Sequence, residues 1–285
     1  MAQKVWLGDG LVDEADAKIS VWDHGVLYGD GVFEGIRFYN GKIFEFDAHI
    51  KRLFDSARVI RLNIGKTPDE VKNATEQTVK ANKLTDGYIR LVVTRGVGNL
   101  GINPFSCKKA LMFIIADKIQ LYPEELYETG MKVISSSVIR TSPQSIPPQV
   151  KSLNYLNNVL GKIEAVDNNV PEAVMYNQQG FVAEATGDNV FIVKDGVVYT
   201  PPIEAGALGG ITRGVVIKLA RQVGIEVVEK NLTKFDLYVS DEFFLTGTAA
   251  EVIGIIEIDR RVVGDGKPGP VTKLLREKFY KYSRC

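Results

Sequence analysis

Thiols and imidazoles are scarce in this chain: its 285 residues include two cysteines, Cys107 and Cys285, and two histidines, His24 and His49. Two isolated thiols exclude a disulfide framework and a structural zinc site. Two imidazoles argue against a histidine-rich metal centre and weaken any Ser-His-Asp proposal, so no metal is expected. Excess charge of either sign is missing as well. The 35 basic and 35 acidic residues cancel, which leaves no overall field to recommend nucleic acid or an anionic membrane, and neither is expected as a partner. Long apolar runs are absent too. Met1 to Val5 lead into charged and glycine residues, with neither the apolar centre of a leader nor a span of about 20 residues. A soluble cytoplasmic protein is the expectation.

What is present suits a globular chain with 45% hydrophobic residues, long enough for two modest domains with buried cores. No repeat or low-complexity tract interrupts it, and strands alternate with helices, which predicts an α/β fold with some α+β elements. The turn Gly8-Asp9-Gly10 between Val5-Trp6-Leu7 and Leu11-Val12 signals a hairpin, and Asn40-Gly41 signals another between Val32 to Phe38 and Ile43 to Phe46. Asp47 is placed to cap a helix with Ile50, Leu53, Ala57 and Ile60 on one face. Thr67-Pro68-Asp69-Glu70 spells a capping box with proline at the first helical position. Tyr88 to Thr94 and Ala110 to Ala116 read as strands, the latter so apolar that a central place is expected. A polar, proline-bearing stretch follows. The domain boundaries predicted are 1–117, a linker at 118–126, and 127–285. Later strands are expected near 131–138, 173–176, 190–193, 242–245 and 252–256, with helices after Lys151, after Thr212 and over 271–282.

Four segments carry candidate chemistry. Lys151 follows the proline-stiffened run Pro143-Gln144-Ser145-Ile146-Pro147-Pro148 and heads a segment that reads as helical, Lys151-Ser152-Leu153-Asn154-Tyr155. A lysine on a rigid backbone beside a tyrosine suits Schiff-base chemistry, because its amine must meet an aldehyde in one geometry. An exposed helix start explains it equally when taken alone. Glu184 ends an apolar strand before a Gly-Asp turn, where a carboxylate can hold a pyridine nitrogen protonated, or merely mark a strand edge. Leu208-Gly209-Gly210-Ile211-Thr212 opens an apolar helix, so its unpaired amides and the Thr212 hydroxyl form a phosphate cup, or an ordinary turn. No Gly-x-Gly-x-x-Gly pattern opens that helix after a strand, which sets aside a dinucleotide site. Thr246-Gly247-Thr248-Ala249-Ala250 has the small residues that let turn amides approach carboxylate or phosphate oxygens.

In this order and across most of the chain, these segments resemble the fold-type IV (class IV) aminotransferases that use pyridoxal 5'-phosphate, and within them the branched-chain amino acid aminotransferase branch. Tyr28 to Arg37, His49-Ile50-Lys51-Arg52-Leu53 and Tyr88-Ile89-Arg90 match as well. The resemblance implies a small N-terminal α/β domain and a larger, barrel-like C-terminal domain. It implies that Lys151 holds the cofactor and moves the substrate's α-proton, that Tyr155 donates to the phenolic oxygen, and that Glu184 meets the ring nitrogen. Arg52, Ile211, Thr212 and Thr248 resemble the phosphate ligands, with Leu208 on a ring face. Tyr88, Thr248 and Ala249 resemble the holders of the α-carboxylate, and Arg90 the group that meets the distal carboxylate of glutamate. Phe33 and Tyr28 match an aromatic wall, to which Tyr122 is a further candidate. The implied reaction passes the amino group of L-leucine, L-isoleucine or L-valine to 2-oxoglutarate, in a homodimer or trimer of dimers. A D-amino acid aminotransferase, an aminodeoxychorismate lyase and a cofactor-free binding protein remain open on the same fold.

Overall fold

The protein is described here by a computed structural model covering residues 3–285. Met1 and Ala2, which begin the segment read above as too polar for a leader, lie outside these residues. The chain divides into two compact units, one running to Ile119 with Val150–Asn154 added, the other comprising Gln120–Gln149 and Tyr155–Cys285. The segment around Lys151, expected in the C-terminal domain, thus belongs with the first unit. Among the described residues no helix is long and apolar enough to cross a membrane.

The first unit contains strands β1 (Lys4–Leu7) and β2 (Gly10–Asp13), helix α1 (His24–Tyr28), strands β3 (Gly31–Tyr39) and β4 (Lys42–Ile43), helices α2 (Phe46–Val59) and α3 (Pro68–Ala81), and strands β5 (Gly87–Thr94) and β6 (Leu111–Asp117). Its six-stranded sheet has the order β2-β1-β6-β5-β3-β4, so the apolar β6 does lie inside the sheet. Strands β3 and β5 pair antiparallel from Gly31↔Thr94 to Phe38↔Gly87. Alternation along a strand then sorts the side chains. Val32, Ile36, Ile89 and Leu91 join Ile50, Leu53 and Ala57 of α2 and Val71 and Ala74 of α3 in one buried core. Phe33, Gly35, Tyr88 and Arg90 share the opposite face.

Helix α3 starts as its sequence dictates, with Thr67 Oγ1 accepting from the Glu70 amide and the Glu70 carboxylate accepting from the Thr67 amide. Helix α2 starts differently from expectation. Glu45, at φ 47°, is its N-cap, and Asp47 sits in the first turn. The chain turns in the left-handed region there, which ends β4 at Ile43 and brings Phe46 into the helix instead of the strand.

The second unit contains α4 (Glu125–Thr129), β7 (Met131–Ile139), α5 (Leu156–Asp167), β8 (Glu172–Tyr176), β9 (Val182–Ala185), β10 (Asn189–Lys194), β11 (Val197–Thr200), α6 (Ile211–Gln222), β12 (Val227–Glu229), α7 (Lys234–Tyr238), β13 (Glu242–Gly247), β14 (Glu251–Ile258), β15 (Arg261–Val262) and α8 (Pro270–Ser283). Its mixed sheet has nine strands: β12-β11-β10-β13-β14-β7-β8-β9 in order, with β15 beside β14. Strand β9 ends that order yet also packs against β10 near the other side, so the sheet curls toward closure. Buried Val174, Val190, Phe243, Leu245 and Ile253 form its core.

Candidate active site

In the first unit, α2 presents His49, Arg52, Leu53 and Ser56 along one stripe, the i, i+3, i+4, i+7 pattern of a helix face. Glu34 meets them from β3. Its Oε1 accepts from Arg52 Nε at 2.7 Å, and its Oε2 accepts from Arg52 Nη2 at 2.7 Å and from His49 Nδ1 at 2.8 Å. Burial pushes the Glu34 carboxyl up, but the charge and hydrogen bonds of Arg52, with those of His49, outweigh it and hold the group at about 2. Burial drives the His49 imidazole down, against the pull of Glu34. The ring is therefore neutral, and facing a carboxylate it must carry its proton on Nδ1.

Lys151 does not head a helix; it lies in an extended stretch five residues before α5 begins at Leu156. Its carbonyl accepts from the Phe33 amide at 2.9 Å, its own amide donates to Ser56 Oγ at 3.2 Å, and Ser152 bridges Val32. Pairing with β3 replaces the intrahelical bonds that the local sequence would otherwise favour. The lysine is half-buried, with Nζ 4.6 Å from the centre of the Phe33 ring. Arg90 Cζ also lies 4.6 Å from that ring and 5.4 Å from the Tyr88 ring. The arginine has no ion-pair partner among the described residues. Space for the phenol of Tyr88 comes from Gly35, where an added Cβ would stand 1.9 Å from the phenolic oxygen. Tyr28, at the end of α1, is 37% exposed and donates to the Leu100 carbonyl.

In the second unit, Glu184 on β9 is 5% exposed and surrounded by donors. Arg140 Nη2 reaches its Oε1 at 2.6 Å, while the Leu208 amide at 2.9 Å and Asn189 Nδ2 at 3.3 Å reach Oε2. Arg140 is itself steadied by Asn158 of α5, whose Oδ1 accepts from Nη1 at 3.1 Å. Asn189 also donates to the Leu208 carbonyl at 2.9 Å, so Glu184 and Leu208 are tied together twice. Helix α6 then opens at Gly210, which no side chain caps. A Cβ on Gly210 would stand 1.9 Å from Asn189 Oδ1, which explains the need for glycine in so tight an approach. The amides of Ile211 and Thr212 sit in the first turn, where no intrahelical carbonyl is available to them. Thr212 Oγ1 is buried without a hydrogen-bond partner among the described residues, and Thr246 Oγ1 is in the same condition. The register Asn189↔Thr246 sets β13 beside this region, and Thr248 and Ala249 follow, half-buried, in the turn to β14. Tyr155 is the half-buried residue just before α5. An unsatisfied hydroxyl at an uncapped helix start suits a multiply charged anion.

A family model described as amino-transferase class IV matches residues 31–258. The chain belongs to the class IV aminotransferases. A Methanocaldococcus jannaschii protein assigned as a branched-chain-amino-acid aminotransferase is 52% identical, covering 97% of this chain and 95% of its own length. The crystal structure of the Escherichia coli branched-chain amino acid aminotransferase superposes with a TM-score of 0.96 at 37% identity, covering 100% of this chain and 95% of that one. Two structures of the T.th. branched-chain amino acid aminotransferase, complexed with N-(5'-phosphopyridoxyl)-L-glutamate and with 4-methylvaleric acid, have TM-scores of 0.93 and 0.94. Each is 37% identical and covers 99% of this chain and 94% of that one.

Within this class IV aminotransferase, several residues bonded to the candidates have no signature of their own in the sequence. Arg140, Asn158 and Asn189 carry no local motif; each is found only by its bond to Glu184 or to Arg140. Glu34 and His49 lay inside segments that matched the family, but their pairing with Arg52 needs the β3–α2 packing. Tyr122, a candidate for the aromatic wall, instead lies in the core of the second unit. Its hydroxyl is 3.3 Å from Asp188 Oδ2 and 3.5 Å from Glu172 Oε2, and burial with Glu172 close by raises the Asp188 carboxyl.

Proposed function

We propose that the chain is a branched-chain amino acid aminotransferase, which uses pyridoxal 5'-phosphate to pass the amino group of L-leucine, L-isoleucine or L-valine to 2-oxoglutarate. The names of its relatives and the phosphopyridoxyl ligand of the T.th. protein support the class of reaction. The observation that carries the substrate assignment is Arg90 stacked on Phe33 and Tyr88 without a carboxylate partner. Such a surface offers apolar area to a branched side chain and a cation to glutamate.

The residues present fit the cofactor. The orphaned hydroxyl of Thr212 and the uncapped amides of Ile211 and Thr212 match a phosphate's acceptors, to which Thr248 and the forked Arg52 add donors. A carboxylate offers about four acceptor positions, and three donors reach Glu184, which leaves one for a ring N–H. When bound, the cofactor supplies an aldehyde for the amino group and a ring that withdraws electrons from the substrate α-carbon. Lys151 would hold that aldehyde through Nζ and, once the substrate's amine had displaced it, would be free to move the substrate's α-proton. Glu184 would accept from the protonated ring nitrogen, Tyr155 would donate to the phenolic oxygen, and Leu208 would shield the ring from water. The Tyr88 hydroxyl and the Thr248 and Ala249 amides hold the substrate α-carboxylate, and Phe33 and Tyr28 line its side-chain pocket.

A homodimer, or a trimer of dimers, belongs to the same reading. Leu156, Val159, Leu160, Ile163 and Val166 form an apolar stripe along α5, each at least 45% exposed, a pattern that favours burial against another chain. The two free cysteines suit a cytoplasmic location.

Single-turnover conversion of the cofactor-loaded enzyme with L-valine, L-leucine, L-glutamate, D-alanine and aminodeoxychorismate tests the assignment. Rapid reaction with the L-amino acids alone supports it, whereas preference for D-alanine or release of pyruvate from aminodeoxychorismate overturns it. The same assay checks Arg90. Arg90→Gln removes a charge-assisted hydrogen bond of about 1.5 to 3 kcal/mol, so efficiency with glutamate should fall roughly ten- to hundred-fold and that with leucine far less. Equal losses for the two donors would take Arg90 out of the substrate pocket.

A further inference from the structure

Glu34 and His49 are both fully buried and have no part in the reaction as derived above, yet both are bonded into the Arg52 cluster. The two oxygens of Glu34 take Nε and Nη2 of Arg52, each at 2.7 Å. A guanidinium gripped at two nitrogens cannot turn about its last bond, so its outer edge points in one direction. His49 Nδ1 fills a further position on Oε2 at 2.8 Å, which keeps the carboxylate from swinging off the fork. The charges also cancel. Glu34 is ionised, Arg52 is cationic and His49 is neutral, so the cluster carries no net positive charge. The same two elements index Lys151: Phe33, next to Glu34 on β3, donates to the lysine carbonyl, and Ser56, one turn beyond Arg52 on α2, accepts from its amide.

Resting on the cofactor reading above, we propose that Glu34 and His49 are positioning residues that aim Arg52 at the cofactor phosphate, so that Arg52 acts as an oriented hydrogen-bond donor and not as a source of net positive charge. The alternatives differ in sign. Were charge the governing quantity, neutralising Glu34 would strengthen phosphate binding; where orientation governs, it weakens it.

Dissociation constants for pyridoxal phosphate and for pyridoxal, which lacks the phosphate, are measured on the full chain stripped of cofactor. Glu34→Asp keeps the charge but withdraws the carboxylate by one methylene, and Glu34→Gln keeps the length but removes the charge. Both should raise the dissociation constant for pyridoxal phosphate roughly ten- to hundred-fold, the worth of a charge-assisted hydrogen bond, and leave that for pyridoxal unchanged. His49→Asn retains a donor near the Nδ1 position and should bind as the parent does, whereas His49→Leu should lose about as much as the Glu34 variants. Tighter binding by Glu34→Gln, unchanged binding by every variant, or equal losses for both ligands overturns the proposal. Circular dichroism identifies variants that fail to fold. If both Glu34 variants do, the contrast between His49→Asn and His49→Leu decides alone, and equal affinities there count against the proposal. A parent chain that binds no pyridoxal phosphate overturns the functional reading itself, and that result is distinct from all of these.

Discussion

Lys151→Ala should lose transamination by roughly 10⁴-fold or more, the upper range of what a positioned general base contributes, while still retaining pyridoxal phosphate through contacts to its phosphate. On the proposed roles two losses coincide in this variant, the amine that would attach the cofactor and the base that would move the α-proton. The surroundings show why no neighbour can take over. Lys151 is held at its amide by Ser56 and at its carbonyl by Phe33, and its Nζ lies over the Phe33 ring. Among the described residues of the first unit, the other groups near it are committed elsewhere: Arg52 and His49 to Glu34, and Arg90 to the rings of Phe33 and Tyr88. Arginine is no substitute either, since a guanidinium does not give up its proton in a protein. Mass spectrometry after borohydride treatment should find a covalent cofactor adduct on the parent and none on Lys151→Ala, alongside the rate measurement. A variant that keeps full activity would falsify the assignment of Lys151.

What could be read from the chain follows the range of the interactions involved. The Thr67-Pro68-Asp69-Glu70 helix start was legible because all its hydrogen bonds fall within four residues. Lys151, Glu184 and Gly210 to Thr212 stand out as candidates because each sits in a short segment that fits its proposed chemistry, within the residues that match the family. Pairings across the fold were not legible. Arg140 and Glu184 are 44 residues apart, and Arg52 and Glu34 are 18 apart; no local pattern joins them. The same limit explains Lys151. Its segment reads locally as the start of a helix, but β3 supplies hydrogen bonds that only the folded first unit can offer, and tertiary pairing overrides propensity. Tyr122 shows the converse. An aromatic in a polar stretch looked available to a ligand, and the folded second unit instead buries it against Asp188 and Glu172.

Glu184→Gln should slow removal of the substrate α-proton by roughly 10²- to 10³-fold, the scale of losing one preorganised electrostatic contact. The substitution changes two things at once. It removes the negative charge that favours a protonated ring nitrogen, and it gives the group an N–H₂ where only acceptors fit. Arg140 Nη2 points at one oxygen and the Leu208 amide at the other, so whichever way the new amide turns, one donor meets another. The resulting displacement should also loosen Leu208, whose amide is bonded to Glu184. Glu184→Asp separates the effects, because it keeps the charge and the acceptors but shortens the reach by one methylene. If charge dominates, Asp should recover much of the rate that Gln loses; if the fixed position dominates, both should be slow. The deuterium isotope effect with α-deuterated leucine identifies the step, and should rise in Glu184→Gln as proton removal comes to limit turnover. Cofactor occupancy is measured in the same samples, so that simple loss of the cofactor is not mistaken for slow chemistry. A fully loaded Glu184→Gln enzyme that turns over at the parent rate, with an unchanged isotope effect, would mean that another residue meets the ring nitrogen and that the Arg140–Glu184 pair only braces β9 against the chain just after β7.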